Sequence, residues 1–397
     1  MPAVSAPFES YVEAELASLR QLNRLREPDD GRARAAADAA AASLGLPPID
    51  ASSNDYLGFS AGVVSRETTV QVSAAPTGAG ASRLIHGTRN PHLDLEAELA
   101  AWVGLPAALL FTSGFAANTG LLSALVTPET VVFSDQLNHA SIIDGCRQAR
   151  ARTEVIPHLD LAALERALST HRAAKARFVV VESFFSMDGD LTDLRSLRSV
   201  CDAHEAVLLV DEAHALGVFG PQGAGRCAEA GIVPDALMGT LGKSVGAHGA
   251  FIAGSTALRT LLWNRARSFV FSTAGSPLLA ELARFHVQHT RAADAERQQL
   301  HDHVARLRRA LAARDLQPVT GSVGPIVPLV VGSNTRSLAM AAALAARGIL
   351  TQAIRPPTVP EGTARLRLTV KANWPADAAE RIADAVVDAL AATQDQA

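Results

Sequence analysis

"AVLLVDEAH" at residues 206–214 and "DALMGTLGK" at residues 235–243 decide how this chain folds. The first is an unbroken aliphatic run that stops on an acid, Asp211; the second passes through small residues and stops on an amine, Lys243. Apolar runs without alternation belong to strands covered on both faces, as in parallel sheets flanked by helices. In open sheets of that kind, ligands gather outside the carboxyl ends of the strands. An acid and an amine delivered to that rim by two strands are therefore candidates for chemistry.

Working outward, the pattern recurs from about residue 107 to 273 in "AALLF", "VVFSD", "TEVIPH", "RFVVVES", "GAFIAG" and "FVFST". With helix-length connections between them, these runs predict an α/β layered domain built on a large, mostly parallel sheet. Asp135, Glu182, Asp211 and Lys243 all stand at or just beyond the ends of the predicted strands. Upstream, "HLDLEAELAAWVG" sets Leu95, Leu99 and Trp102 at i, i+4 and i+7 and closes on Gly104, the pattern of an amphipathic helix.

Downstream, Leu300, Val304, Leu307 and Leu311 mark a long helix leading to a smaller unit. That unit reads as a helix near Ser337 to Arg347 stopped by Gly348, an alternating strand "ARLRLTV", and a last helix begun by Pro375. The opening "MPAVSAPFESYVEAELASLRQLNRLRE" reads as an amphipathic helix. The division expected is an N-terminal helical segment over 1–51, a large cofactor-binding α/β domain over 52–287 and a small α+β domain over 288–397.

Composition narrows the function classes. With 48% hydrophobic and 19% charged residues among 397, the chain is globular rather than disordered. A formal net charge of -4 offers no general attraction to nucleic acid or anionic membrane. No apolar run approaches the roughly 18 residues of a membrane span. The N-terminus lacks a basic leader followed by an apolar block, so no secretory signal is expected. Cys146, Cys201 and Cys227 are odd in number and widely spaced, which argues against a disulfide framework or a metal site and favours a reducing cytoplasm.

Three chemistries compete for Lys243. A phosphate-binding loop needs G-x-x-x-x-G-K-[ST], but Leu237 stands where its first glycine belongs, and the acidic strand precedes the loop instead of following it. The dinucleotide pattern fails as well, since "GAGASR" puts Arg83 at the third small position and "GAGRCA" does not directly follow a strand. H-E-x-x-H does not occur. There remains the amine as a reacting group. A lysine with its ordinary pKa of about 10.4 is a poor nucleophile until it is desolvated or condenses with a carbonyl.

Pyridoxal phosphate (PLP) is the most economical partner. Its aldehyde condenses with an amine, and its ring nitrogen needs a carboxylate to stay protonated. Asp211 ends the most apolar run, where an unpaired charge is costly. Alone, it reads more simply as a helix cap; with His214 three residues on and Lys243 beyond, the cofactor reading gains. "FTSGFAANTG" offers a strand-to-helix turn whose free amides and positive helix end suit a phosphate. His139 in "DQLNHASI" is either an ordinary loop histidine or an imidazole stacked on a pyridine ring, and spacing leaves both open.

Taken together, "SSNDYLGF", "TGAGASRLIHGT", "LLFTSGFAAN", "DQLNHASI", "ESFFSMDGD", "LLVDEAHALGVFGPQGAGR", "GTLGKSVGAHGA" and "FVFSTAGSP" stand in the order found in the α-oxoamine synthases. The chain resembles this group of fold-type I PLP-dependent transferases from roughly residue 52 to 277. The tail "AIRPPTVPEGTARLRLTV", residues 353–370, resembles the member that joins L-alanine to a pimeloyl thioester of coenzyme A or acyl carrier protein in biotin biosynthesis.

The resemblance implies that Lys243 forms the Schiff base with PLP, Asp211 pairs with the pyridinium and His214 hydrogen-bonds the ring oxygen. It also implies His139 over the ring, Ser186 and Thr240 beside the cofactor, and the backbone of Gly114 and Phe115 on its phosphate. Ser272 and Thr273 match a pair that reaches the phosphate from the neighbouring subunit, which implies a homodimer with shared active sites. Asn54 and Arg355 match positions near the amino-acid carboxylate, Thr358 a substrate contact in the tail, and Arg26 an N-terminal arginine that touches substrate, as His139 does.

Two segments depart from the pattern. "HALG" at residues 214–217 replaces His-Gly-Thr-Gly, and "GKSVGAHG" replaces a form richer in glycine and phenylalanine. Two other readings stay open here: a glycine-using relative that makes 2-amino-3-oxobutyrate, and a catalytically silent partner subunit, against which the intact Lys243, Asp211 and His214 speak.

Overall fold

In the computed structural model, which describes residues 5–26, 31–62, 68, 72 and 74–394, the chain divides into two units. The smaller gathers residues up to 53, the short piece 187–189 and residues from 301 on; the larger holds Asn54–Ser186 and Asp190–Leu300. The N-terminal helices Ala6–Gln21 and Arg32–Ser43 lead, within the smaller unit, to β1 (Ile49–Asp50). The reading of the sequence sets this segment apart from the C-terminal region and breaks the chain at 287. In the structure the segment shares a unit with the C-terminal region, and the break falls at 300–301, inside the helix Asp294–Ala312.

The larger unit opens with the helix Asn90–Val103, closed by Gly104 at φ 69°, with Leu95, Leu99 and Trp102 buried as their spacing predicts. Its strands are β2 (Ala107–Phe111), β3 (Val131–Asp135), β4 (Arg152–Ile156), β5 (Arg177–Glu182), β6 (Val207–Asp211), β7 (Ala236–Thr240) and β8 (Ala250–Gly254). They form one seven-stranded sheet in the order β2-β8-β7-β6-β5-β3-β4. Along β5, Val179 and Val181 face one apolar layer and Val180 the other, the period of two that a strand buried on both faces requires. Helices 90–103, 161–170, 194–203 and 277–292 supply the first layer; helices 114–125, 140–148 and 256–265 supply the second.

Two expectations fail in this sheet. β8 runs antiparallel to both of its neighbours, β7 and β2. The connection 241–249 is shorter than the dozen or more residues that a parallel crossover needs, so the chain returns beside β7 as a hairpin. "FVFST" is no strand either. Arg267–Val270 forms a helical turn, and Thr273 touches Ser82 only through an isolated bridge. Phe269 packs against Phe111 and Trp263, and that tertiary contact overrides the strand preference of the aromatic run.

The smaller unit also carries β9 (Ile326–Gly332), β10 (Ile349–Leu350), β11 (Gln352–Ile354) and β12 (Ala364–Thr369). β11, β12 and β9 form an antiparallel sheet in that order, and β10 pairs with β1 in parallel. The alternation of "ARLRLTV" does not mark a solvated face, because every residue of β12 is buried. Arg365 is paired with Asp188 and Arg367 donates to Thr369 Oγ1 at 3.0 Å. The last helix begins at Ala378, beyond Pro375, whose carbonyl accepts the Ala378 amide. Among the described residues no helix is long and apolar enough to cross a membrane.

At the carboxyl rim of the large sheet, His158 stands between two acids. Its Nδ1 lies 2.9 Å from Asp135 Oδ1 and its Nε2 lies 2.8 Å from Asp190 Oδ2. Burial opposes the charge, but hydrogen bonds and attraction from both carboxylates raise the imidazole to about 10. Since the unfolded value is about 6.5, the stabilisation is complete below that pH and declines steadily as pH rises toward 10. His158→Gln should therefore lower stability by about 3 kcal/mol at pH 6, with the gap to the parent closing by pH 10 in urea unfolding. A gap independent of pH would show that the imidazolium carries no charge-based role.

Candidate active site

β5, β6 and β7 end side by side, with Glu182 in register with Asp211 and Asp211 with Met238. Lys243 follows just beyond the end of β7. The loop that carries it consists of small residues for a packing reason. Leu241 and Val245 are fully buried anchors. Gly246 has φ 69°, and a Cβ there would sit 2.6 Å from the Phe59 backbone, so only glycine fits. Leu241 and Ala247 amides donate to the carbonyls of Gly249 and Leu241, the Gly246 amide donates to the Lys243 carbonyl, and His286 Nδ1 donates to Val245 O at 2.9 Å. The lysine thus rises from a tethered backbone, not a floppy loop.

Asp211 is buried. Its Oδ2 accepts from Asn118 Nδ2 at 2.8 Å and its Oδ1 from the Ala213 amide at 2.8 Å. Asn118 Nδ2 also donates to Ser141 Oγ at 2.9 Å, and Ser141 Oγ lies 2.8 Å from His139 Nδ1. His139 caps the helix Ala140–Gln148. Although the residue keeps exposed surface, desolvation of its ring holds the imidazole below its ordinary range; Asp211 opposes this and the Lys243 ammonium reinforces it. His214 is also buried, with Nδ1 2.7 Å from the Tyr56 hydroxyl.

Glu182 is nearly inaccessible, at 2% exposure. Burial first and the Asp211 carboxylate second raise it to about 8, while Lys243 and the amides of His139 and Ser186 pull it down. The Ser186 amide donates to its Oε2 at 3.3 Å, and its Oε1 has no hydrogen-bond partner among the described residues. Shared electrostatics make Lys243, Asp211, Glu182 and His139 one cluster.

Helix Gly114–Leu125 starts at the end of β2. Ser113 Oγ accepts the Ala116 amide, and the amides of Gly114 and Phe115 stand in the first turn, at the positive end of the helix dipole. Thr240 Oγ1 donates to Gly249 O at 3.3 Å, close to the lysine loop. Ser272 and Thr273 line a cavity together with Arg83, His92, Thr112 and His248. Asn54 is half-buried, and its carbonyl accepts the Tyr56 amide at 2.9 Å.

In the smaller unit, Arg355 is buried; its Nη1 donates to Asn23 O at 2.5 Å and its Nε is without a partner among the described residues. Arg26 Nη2 donates to Thr358 Oγ1 at 3.0 Å. Desolvation and then the like charge of Arg26 lower Arg355, the signature of two cations set near each other. Arg26, Thr358 and Arg355 are therefore brought together within this unit.

Reading the sequence for chemistry missed Tyr56, Asn118 and Ser141, and placed Glu182 at the rim without its burial. Asn118 carries a signal in hindsight, as a lone amide on the otherwise apolar and small helix 114–125. The donor set suits PLP: a buried carboxylate for a cationic ring nitrogen, an amine for an aldehyde, and free first-turn amides for a phosphate.

Comparison with known proteins agrees. The family profile "Aminotransferase class I and II" matches residues 47–386. An 8-amino-7-oxononanoate synthase of Anaeromyxobacter sp. (strain K) is 46% identical over 352 residues, spanning 87% of this chain and 86% of the relative. A structure of SPT with PLP aligns at a TM-score of 0.82 and 27% identity, covering 87% of this chain and 88% of the other. The 8-amino-7-oxononanoate synthase of Francisella tularensis aligns at a TM-score of 0.76 and 25% identity, covering 88% and 98%.

Glu182 gives a test of the site's electrostatics. Ionising it in the folded state is disfavoured up to about pH 8, whereas the unfolded acid ionises near 4.5, so its burial costs stability progressively across that interval. Glu182→Gln has no proton to lose. Its stability relative to the parent should rise by up to about 1.4 kcal/mol per pH unit between pH 5 and 8 and then level off. Urea unfolding at intervals of pH measures this, and a flat difference would mean that Glu182 is ionised throughout.

Proposed function

The chain belongs to the aminotransferase class I and II family, alongside its 8-amino-7-oxononanoate synthases, and from this membership we propose the reaction that its site carries out. L-Alanine condenses with a pimeloyl thioester, of coenzyme A or acyl carrier protein, to give 8-amino-7-oxononanoate, carbon dioxide and the free thiol, a step of biotin biosynthesis. The observation that carries this reading is the pair of neighbouring strand ends, with Asp211 buried on β6 and Lys243 just beyond β7.

PLP, when bound, supplies the aldehyde that takes an amine and the cationic ring that accepts the electron pair left at the amino acid's Cα. Lys243 holds the cofactor and, once its amine is free, takes the proton from the alanine Cα. Asp211 keeps the ring nitrogen protonated, and its own hydrogen bonds to Asn118 and the Ala213 amide hold it in one orientation. His214, steadied at Nδ1 by Tyr56, presents its other nitrogen to the ring oxygen. His139 covers the ring. Ser186 and Thr240 flank the cofactor, and the amides of Gly114 and Phe115 bind its phosphate at the helix end.

Arg355 is assigned to a substrate carboxylate, because a planar guanidinium with unused donors can bind both oxygens. Asn54 is a further substrate contact in the larger unit, and Arg26 and Thr358 are substrate contacts in the smaller. The active form is a homodimer with shared sites, in which Ser272 and Thr273 reach the partner's phosphate. Exposed apolar side chains support this assembly: Ile85 at 74%, Phe271 at 72% and Phe115 at 46% lie on the segments that would carry the contact.

The decisive experiment is the visible absorption spectrum of PLP-loaded protein titrated separately with L-alanine, glycine and L-serine. A band abolished by borohydride and perturbed preferentially by alanine is expected. Lys243→Ala should lose that band and all multiple-turnover synthesis, while Asp211→Asn should keep the cofactor and slow α-proton exchange of L-alanine roughly 100-fold or more. A preference for glycine would move the chain to a relative forming 2-amino-3-oxobutyrate. Arg355→Lys, which keeps the charge and loses the fork, should raise KM for one substrate about tenfold with little change in kcat. An unchanged KM for both substrates in initial-rate assays would remove Arg355 from substrate binding.

A further inference from the structure

Asn118, which so far only steadies Asp211, and Ser141, which has no task above, are buried at 4% and 0% exposure and link Asp211 to His139. We propose that Asn118 and Ser141 are positioning residues that fix the His139 imidazole as the neutral tautomer with its proton on Nε2 and tie it to the Asp211 carboxylate.

The argument is a count of protons. A carboxylate has none to give, so the Asn118 amide must turn its Nδ2 toward Asp211, and the 2.8 Å contact to Oδ2 uses one of its two N–H groups. The second goes to Ser141 Oγ at 2.9 Å. That hydroxyl now accepts from Asn118, so its own single proton is free for His139 Nδ1, 2.8 Å away. The Ser141 amide donates to the same nitrogen at 3.2 Å. A ring nitrogen that receives two donors keeps its lone pair turned toward them and carries no proton. The neutral ring then holds its hydrogen on Nε2.

The charged surroundings agree with a neutral ring. Asp211 favours the imidazolium, Lys243 opposes it, and Glu182 approaches the His139 amide rather than the ring; desolvation decides the balance against charge. Resting on the cofactor reading above, the consequence is chemical. A neutral imidazole can cover the cationic pyridine ring without setting a second positive charge against it, so Asp211 remains the counter-ion of the ring nitrogen alone.

The test is 15N NMR of histidine-labelled protein, without and with PLP, from pH 5 to 9, with the His139 resonances assigned by their loss in His139→Gln. The wild type should show an unprotonated Nδ1 and a protonated Nε2 at pH 7. Ser141→Ala removes the hydroxyl donor and should raise the imidazole pKa by roughly 0.5 to 1 unit, with some Nδ1-protonated tautomer appearing; Ser141→Thr, which keeps the hydroxyl, should restore the wild-type pattern. An imidazolium or an Nδ1-protonated ring in the wild type at pH 7 overturns the proposal even where the alanine variant fails to fold. An unchanged tautomer and pKa in a folded Ser141→Ala overturns it too. Because the PLP-free protein is measured as well, the relay can stand while the functional reading falls, namely if the tautomer is as stated and no amino acid perturbs the cofactor band.

Discussion

The structure depends on accommodating one carboxylate at a buried strand end. Asp211 ends a strand whose other residues pack into apolar layers on both faces of the sheet. An isolated charge there costs several kcal/mol unless donors and a cation face it. The Asn118 amide and the Ala213 N–H supply the donors. The register of parallel β6 and β7 supplies the route by which Lys243 comes to the same rim. Placing these groups on the ends of buried strands gives them rigid backbones, and the close tethering of the 241–249 loop extends that rigidity to the lysine.

Much of this was legible because the signals were local. Unbroken aliphatic runs located seven strands, and their terminal residues named the rim; the helix at 90–103 followed from three apolar positions and a closing glycine. Strand direction was partly hidden. A run such as "GAFIAG" has the same composition in either orientation, and only the length of the preceding connection settles its sense. The same limit explains β12, where arginine alternating with leucine has the pattern of a half-solvated strand. Burial of those guanidinium groups depends on Asp188 and Thr369, of which the first is remote in sequence.

The site divides along the same line. Residues proposed to act through their own chemistry, such as Lys243, Asp211 and His214, stood in motifs that a reader of sequence could weigh. Residues that act by holding another side chain did not. Tyr56 lies 158 positions from His214, and Asn118 lies 93 from Asp211. Their meaning arises only when the sheet and its covering helices bring distant segments within 3 Å, and no spacing rule encodes that.

Donor counts also separate the acids at this rim, which composition treats alike. Glu212, next in sequence to Asp211, is fully buried, yet the Ser183 hydroxyl and the amides of Arg226 and Cys227 satisfy it. A Cβ on Gly225 would meet that carboxylate at 2.8 Å, so the acid and the turn are fitted to each other. Such an acid anchors a turn and has nothing left for a ligand. Glu182 is approached by the amides of Ser186 and His139, its Oε1 has no hydrogen-bond partner among the described residues, and its charged neighbours are Lys243 and Asp211. Buried polar groups without partners are rare because they cost 1–3 kcal/mol each. At Glu182 the two amides and the nearby Lys243 offset only part of the cost of burial, and the acid is held up at about 8.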